Sequence, residues 1–109
     1  RLLFTDSYEE SIAKSSIVFI TVGTPPKKDG SADLTAVYKV AESVAKNLGD
    51  KFTVVSCKST VPVGTNLEVG KILHKYKSKK ATIAVASCPE LFPIELCLDL
   101  MTKMQLSCC

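Results

Sequence analysis

The apolar residues of this chain form short continuous runs that alternate with stripes at helical spacing. Residues 17–22, 52–57 and 82–86 are runs rich in β-branched side chains. Runs of this kind are typical of strands that are covered on both faces. Between the first two runs, apolar residues recur three or four positions apart, the spacing of an amphipathic helix. This stripe comprises Leu34, Val37, Ala41, Val44 and Leu48.

The ends of the helices can also be predicted from the sequence. Ser7 and Glu10 have the spacing of a capping box, which opens a short helix to about Lys14. Asp33 lies at the positive end of the helix after the first run, Lys46 lies near its negative end, and Gly49 is expected to end it in a left-handed conformation.

A second capping box is predicted from Thr65 and Glu68. It opens a helix after the second run, and one face of that helix carries its larger apolar residues. Those residues are Val69, Ile72, Leu73 and Tyr76.

Strands that alternate with helices through short loops predict βαβ units, and therefore a parallel sheet with right-handed crossovers. We interpret residues 1 to about 90 as an α/β structure that forms half of a doubly wound sheet. The short apolar stretch 2–4 precedes the first helix. Half of such a sheet leaves an exposed edge and buries little core, so we expect poor stability from this chain alone.

Parallel strands all end at one edge of a sheet, and ligands bind in the crevice outside those carboxyl ends. Three turns follow the three strands: a first turn (22–26), a second turn (58–60) and a third turn (87–90). Their sequences are Val-Gly-Thr-Pro-Pro, Lys-Ser-Thr and Ser-Cys-Pro-Glu. The topology therefore predicts that they line one site.

The residues of these turns suit a nucleotide or sugar ligand. Gly23 has no Cβ, so a flat ring or a phosphate can approach the backbone. Thr24, Ser59 and Thr60 carry hydroxyls that donate and accept, Lys58 carries a cation, and Glu90 is a candidate general base. Taken singly, each has an ordinary alternative: a loop for Gly23 and the prolines, helix capping for the hydroxyls, a surface carboxylate for Glu90. Their coincidence at one edge favours the site.

Composition and charge exclude several classes of protein. Of 109 residues, 46% are apolar and 23% are charged, which is a globular composition. The net charge of +3 comes from lysine clusters at 27–28 and 75–80. Without interleaved aromatic residues, these clusters are better explained by a solvated face than by nucleic-acid binding. The longest apolar run, 17–22, is far shorter than the roughly 20 residues that cross a bilayer.

The cysteines argue against a disulfide framework and against a metal site. There are five, Cys57, Cys88, Cys97, Cys108 and Cys109, without regular spacing or a CxxC pair. The expected compartment is the reducing cytoplasm. The only histidine, His74, stands beside lysines on a predicted helix and is expected to face solvent.

Three segments resemble the N-terminal domain of the nucleotide-sugar dehydrogenases. They are Ser-Ile-Val-Phe-Ile-Thr-Val-Gly-Thr-Pro-Pro at 16–26, Asp-Gly-Ser-Ala-Asp-Leu at 29–34, and Lys-Ser-Thr-Val-Pro-Val-Gly-Thr at 58–65. Their order and spacing agree with the family, and the resemblance covers residues 1–92, most closely to members that act on UDP-glucose. It implies a partial Rossmann-like NAD-binding domain over 1–92.

The resemblance also implies an activity, which is the NAD-dependent oxidation of a sugar C6 alcohol to a carboxylate with release of two NADH. In the family a cysteine of a later domain holds the substrate as a thiohemiacetal and then as a thioester. The substrate would be a nucleotide sugar, UDP-glucose in the first instance, and the parent protein a homo-oligomer.

Roles for individual residues follow from the resemblance as well. Cofactor contacts carry over to the first turn and to Ser59 and Thr60, and the turn that contains Ser59 and Thr60 is also implied to help hold the catalytic water, with Thr60 as its catalytic residue. Glu90 takes the family's role in proton transfer or thioester hydrolysis, and Leu91 and Phe92 match its substrate-contacting backbone. The first-turn residues are Val22, Gly23, Thr24, Pro25 and Pro26.

The chain departs from the family in several places. The family's GxGxxG turn and acidic ribose-binding residue would precede Arg1, Cys88 replaces an asparagine, and Ile94 stands where a second glutamate is expected. We interpret 93–109 as a divergent tail, with a reading-frame shift near Leu91 as the hypothesis. The catalytic cysteine and lysine belong to later segments, so we expect the chain alone to be inactive.

Two alternatives stay open on the sequence. One is a related enzyme that acts on GDP-mannose or another nucleotide sugar. The other is a non-catalytic nucleotide-binding module that reuses half of a Rossmann sheet.

Overall fold

Three parallel strands alternate with three helices in the computed structural model, which describes residues 2–88. The strands lie in the order β1-β2-β3, and both pairs are parallel. This confirms the predicted α/β fold with a parallel sheet. The elements are α1 (Tyr8–Ile12), β1 (Ile17–Ile20), α2 (Thr35–Lys46), β2 (Phe52–Cys57), α3 (Thr65–Tyr76) and β3 (Thr82–Ser87).

The register of the sheet brings the ends of the strands together. Ile20, the last residue of β1, pairs with Cys57, the last residue of β2, and Cys57 pairs with Ser87 at the end of β3. The three strands therefore end level with one another. β1 is shorter than the predicted run, so Thr21 and Val22 belong to the turn that follows it.

The core lies between one face of the sheet and a layer formed by α2 and α3, which pack against each other. The predicted stripe of α2 is buried, with Val37, Ala41 and Val44 at most 1% exposed. Val69 and Leu73 of α3 are fully buried as well. Each large aliphatic side chain buried in this way contributes about 1.5–3 kcal/mol, which explains why the apolar spacing predicts these helices.

The short helix α1 begins after Ser7 as predicted, but only half of the capping box forms and the helix ends early. The backbone N–H of Ser7 donates to the Thr5 hydroxyl at 3.1 Å rather than to the Glu10 carboxylate. The Ser7 side chain accepts a hydrogen bond from the backbone N–H of Glu10 at 3.3 Å. The helix ends at Ile12 rather than at Lys14, and Ile12 is buried in the core. The preceding residues 2–4 are exposed.

The predicted end of α2 is wrong at Gly49. The helix ends at Lys46, and the backbone N–H of Asn47 donates to the carbonyl of Val44. Gly49 does not have a positive φ, so it does not act as a left-handed stop. Glycine is required there for another reason, which is the close approach of the backbone at Ala13.

The second capping box is also wrong. The residue that precedes α3 is Gly64, with φ 92°, and its backbone carbonyl accepts from the N–H groups of Leu67 and Glu68. Thr65 lies inside the helix and is buried, while the Glu68 carboxylate pairs with Lys71 at 2.7 Å. A left-handed glycine thus replaces the hydroxyl cap that the sequence predicts.

The exposed end of α3 carries polar and aromatic residues. Tyr76 is partly exposed rather than packed with Val69 and Leu73, and the ammonium groups of Lys46 and Lys75 lie over its ring. His74 is exposed, as predicted. Among residues 2–88, no helix is long and apolar enough to cross a membrane, and no cluster of potential metal ligands is found.

Candidate functional site

The first and second turns meet at the carboxyl edge of the sheet, where two side-chain hydrogen bonds join them. The Ser59 hydroxyl donates to the backbone carbonyl of Val22 at 2.6 Å. The Thr24 hydroxyl donates to the backbone carbonyl of Thr60 at 3.3 Å. Each turn thus supplies one hydroxyl to the backbone of the other, and the predicted proximity of these two turns is confirmed.

The strands position these turns. The backbone N–H of Lys58 donates to the carbonyl of Ile20 at 2.9 Å, which continues the β1-β2 ladder to the end of β2. On the other side, the backbone N–H of Cys88 donates to the carbonyl of Cys57 at 3.1 Å. Because parallel strands exit in the same direction, all three exits are adjacent.

A cavity of about 330 Å³ lies between the first and second turns. It falls at the small end of the range of ligand pockets, about 300–1,000 Å³, and so suits one end of a dinucleotide better than the whole molecule. Of the predicted cofactor residues, five line it; Pro25 and Pro26 do not. The lining residues are Thr21, Val22, Gly23, Thr24, Lys58, Ser59 and Thr60.

Gly23 is open on the side where a Cβ would stand. Among residues 2–88, no heavy atom beyond the two chain neighbours of Gly23 lies within 4 Å of that position, and the residue does not have a positive φ. Neither the packing nor the backbone conformation of the described residues therefore requires glycine here. The free space fits the prediction that a ligand approaches this backbone.

The hydrogen-bonding groups of the second turn are divided between the protein and the cavity. The Ser59 hydroxyl donates its proton to the backbone carbonyl of Val22. The Thr60 hydroxyl is exposed and has no protein partner among residues 2–88. Thr60 is therefore the hydroxyl of this turn that can both donate to and accept from a ligand.

The charge at the cavity comes from Lys58, which is half-buried. In the described part of the chain, the ion pairs are Lys46–Glu42 and Lys71–Glu68, and neither involves Lys58. Among the described residues that line the cavity, none is a carboxylate, so this part of the site suits an electron-rich or anionic ligand.

The buried thiol beneath the second turn is a poor nucleophile. Burial raises the pKa of Cys57, although a hydrogen bond from the backbone N–H of Ser59 opposes the shift. A raised pKa keeps the thiol protonated, and the thiolate is the reactive form. Cys57 therefore packs beneath the turn and is not a candidate nucleophile.

The loop after the first turn folds back on itself and braces the two prolines. The backbone N–H of Asp33 donates to the carbonyl of Pro25 at 2.8 Å, and Pro26 forms an antiparallel bridge with Ala32. Gly30, with φ 83°, makes the reversal. The Asp-Gly-Ser-Ala-Asp-Leu segment is thus a structural support for the first turn.

Two aspartates of this loop hold its backbone. One oxygen of Asp29 accepts from both the N–H and the hydroxyl of Ser31, at 2.9 and 2.6 Å. One oxygen of Asp33 accepts in the same way from Thr35, at 3.0 and 2.6 Å. These bonds lower the pKa of both carboxyls below the usual value. The spacing of Asp, Ser and Thr two residues apart could have indicated these turns from the sequence.

A larger cavity of about 930 Å³ lies on the other side of the second turn, between α3 and β3. The two cavities share Ser59 and Thr60, so the second turn forms the wall between them. The larger cavity is mainly apolar, and Val61, Val63, Leu67 and Val85 contribute to its lining.

The third turn is only partly described. Ser87 lines the larger cavity, and Cys88 is buried against the end of β2. The predicted residues Glu90, Leu91 and Phe92 lie outside the described residues, as does the tail 93–109. Their roles stay predictions.

Comparison with known proteins agrees with the fold. Residues 1–103 match the model of the UDP-glucose/GDP-mannose dehydrogenase family, NAD binding domain, a match that runs past residue 92. The UDP-glucose 6-dehydrogenase of Rhizobium meliloti is 50% identical over 91 residues, and YwqF of Bacillus subtilis, with the same name, is 44% identical over 90. Each match covers 83% of this chain and 20% of the relative.

Solved structures give the same result. A UDP-glucose dehydrogenase from Pyrobaculum islandicum superposes with a TM-score of 0.75 at 38% identity, over 83% of this chain and 21% of that one. A GDP-mannose dehydrogenase from Pseudomonas aeruginosa superposes with a TM-score of 0.73 at 29% identity. That match covers 82% of this chain and 22% of the other. The described sheet therefore matches a Rossmann-like NAD-binding domain. The chain spans about one fifth of the length of these relatives.

Proposed function

Since the chain belongs to the UDP-glucose/GDP-mannose dehydrogenase family, as part of its NAD-binding domain, we propose that it binds NAD between its first and second turns. The observation that carries this proposal is the open backbone at Gly23: among residues 2–88 no heavy atom beyond its chain neighbours lies within 4 Å of the position of a Cβ, in a cavity that Thr60 and Lys58 also line. Such a cavity offers a flat ring both space and hydrogen-bonding groups.

The reaction of the whole parent protein would be the oxidation of a primary alcohol on a nucleotide sugar to a carboxylate, with two NAD reduced and one water consumed. When bound, NAD supplies the hydride acceptor for each oxidation. Val22, Gly23 and Thr24 would hold the cofactor, and the Thr60 hydroxyl would orient the water. Glu90 would move a proton or assist thioester hydrolysis, and Leu91 and Phe92 would contact the substrate.

UDP-glucose is the substrate we propose for the parent protein. The relatives that share 44% and 50% of their aligned residues with this chain are named UDP-glucose 6-dehydrogenases. The GDP-mannose dehydrogenase of known structure is less similar, at 29% against 38% for the UDP-glucose dehydrogenase. GDP-mannose is therefore the second candidate, and the two are separated by direct titration.

Titration of the 109-residue chain with NAD, followed by backbone amide NMR, tests the cofactor site. We expect shifts at Gly23, Thr24, Ser59 and Thr60, and the same shifts with nicotinamide mononucleotide. Adenosine monophosphate should leave them unchanged, since the proposed role of Thr60 in orienting the water places the nicotinamide end of NAD at this cavity. Shifts confined to the basic segment 75–80, or none at all, would contradict the proposal.

The substrate is tested by adding UDP-glucose or GDP-mannose to the chain saturated with NAD. We expect additional shifts with UDP-glucose at a lower concentration than with GDP-mannose. A preference for GDP-mannose would reverse the assignment. NAD binding without a response to either sugar would favour the non-catalytic module.

A further inference from the structure

The second turn contains two neighbouring hydroxyls whose hydrogen-bonding states differ. The Ser59 hydroxyl donates to the carbonyl of Val22 at 2.6 Å, while the Thr60 hydroxyl has no partner within the described residues. Both residues line the same cavity. A hydroxyl has one proton, so Ser59 cannot donate to a ligand while this bond is made.

The bond from Ser59 fixes the orientation of a whole peptide group. The Val22 carbonyl and the Gly23 N–H belong to one planar trans peptide, in which the two groups point in opposite directions. Holding the carbonyl toward Ser59 therefore turns the Gly23 N–H away from Ser59. Within the described residues no acceptor is bonded to that N–H.

The orientation of this peptide depends on a hydrogen bond because Gly23 itself does little to fix it. A residue without a Cβ and without packing neighbours has wide conformational freedom, so its peptide can rotate unless another group holds it. The Thr24 bond to Thr60 restrains the other side of Gly23, but at 3.3 Å it is longer than the Ser59 bond. Ser59 is therefore the stronger of the two restraints.

From this geometry we infer that Ser59 is a positioning residue, which holds the Val22–Gly23 peptide in one orientation and so keeps the open backbone of Gly23 in place beside the bound ligand. This inference rests on the proposed NAD site and refines it: the Thr60 hydroxyl is the direct donor of the second turn, and Ser59 acts through the Val22–Gly23 peptide. The ligand group that Thr60 fits is a carbonyl or hydroxyl oxygen, as in a carboxamide or a ribose.

The test compares Ser59→Ala and Ser59→Thr with Ser15→Ala as a matched control. The Ser15 hydroxyl also donates to a backbone carbonyl at 2.6 Å and is part-buried, but it precedes β1 and lies away from the cavity. Affinity for NAD and the amide signal of Gly23 are measured for each chain. The loss of one hydrogen bond predicts an affinity about fivefold to tenfold lower for Ser59→Ala.

We expect Ser59→Ala to shift and broaden the Gly23 amide signal of the free chain and to reduce the response of that amide to NAD. Ser59→Thr should restore both properties. Ser15→Ala should bind NAD like the parent sequence, even where it loses as much stability as Ser59→Ala. Unchanged affinity in Ser59→Ala, or an equal loss of affinity in Ser15→Ala, would overturn the inference. If the parent sequence itself binds no NAD, that result contradicts the proposed function, and the positioning role of Ser59 is contradicted together with it.

Discussion

Gly49 packs directly against the backbone of Ala13, where α1 ends. A Cβ on Gly49 would stand 2.6 Å from the carbonyl oxygen of Ala13 and 3.5 Å from its carbonyl carbon. Both atoms belong to the backbone, so no side chain can move aside. The loop between α2 and β2 is thus held close to α1 by the absence of a side chain.

We expect Gly49→Ala to destabilise the chain by about 1–3 kcal/mol, because the added methyl forces the two segments apart. The free energy of unfolding from urea titration measures this effect. The binding of NAD should persist in the folded fraction, since Gly49 lies away from both turns. If Gly49→Ala is as stable as the parent sequence, the two segments can move apart without any loss of folding free energy. That result would contradict the prediction.

Gly70, in the middle of α3, has room for a side chain, unlike Gly49. A Cβ there would contact the Val85 side chain at 3.7 Å, an ordinary van der Waals distance, and the residue is helical. Alanine restricts the unfolded chain and favours the helix, so we expect Gly70→Ala to stabilise the chain by about 0.5–1 kcal/mol. The same urea titration checks it. A loss of stability would mean that the space between α3 and β3 is tighter than this distance indicates.

The sequence predicts the fold well because burial determines it. The continuous runs become β1, β2 and β3, and the stripe through Val37, Ala41 and Val44 becomes the buried face of α2. These patterns follow from which side chains leave water. The topology of parallel strands then places the first and second turns side by side, as predicted.

The helix ends and the details of the site were harder to predict, since they depend on contacts between distant segments. Gly49 resembles a helix stop in sequence, yet its role depends on Ala13, which is far away along the chain. Thr65 has the spacing of a capping residue, but Gly64 supplies the turn. The bond from Ser59 to Val22 has no local signature, because it joins strand exits from two parts of the chain.

Gly23 differs from both of these glycines, since in the described part of the chain no heavy atom beyond its chain neighbours lies within 4 Å of its missing Cβ. We expect Gly23→Ala to change the free energy of unfolding by less than about 0.5 kcal/mol, as for a surface substitution. Affinity for NAD should fall about tenfold, because the methyl occupies space that the ligand needs, and Gly23→Leu should weaken it further. Calorimetric titration measures both variants. If Gly23→Ala binds NAD with unchanged affinity, the ligand does not lie against the backbone of Gly23.

The stability of the first turn should depend on pH through Asp33. Hydrogen bonds from the hydroxyl and then the N–H of Thr35 lower its pKa below the ordinary value of 3.8. A carboxyl whose pKa is lower in the folded state stabilises the fold above the ordinary value, and that contribution is lost as the pH falls through the folded value.

Asp33→Asn keeps an acceptor oxygen but cannot titrate, so it should remove this part of the acid sensitivity. Urea midpoints of the two chains, compared at neutral pH and well below pH 3.8, measure the difference. We expect the parent sequence to lose more stability than Asp33→Asn over that interval. Asp29→Asn tests the equivalent contribution of the Ser31 bonds, which also lower the pKa of Asp29. If Asp33→Asn and the parent sequence lose stability in parallel, the Asp33 bonds do not hold the loop that braces Pro25.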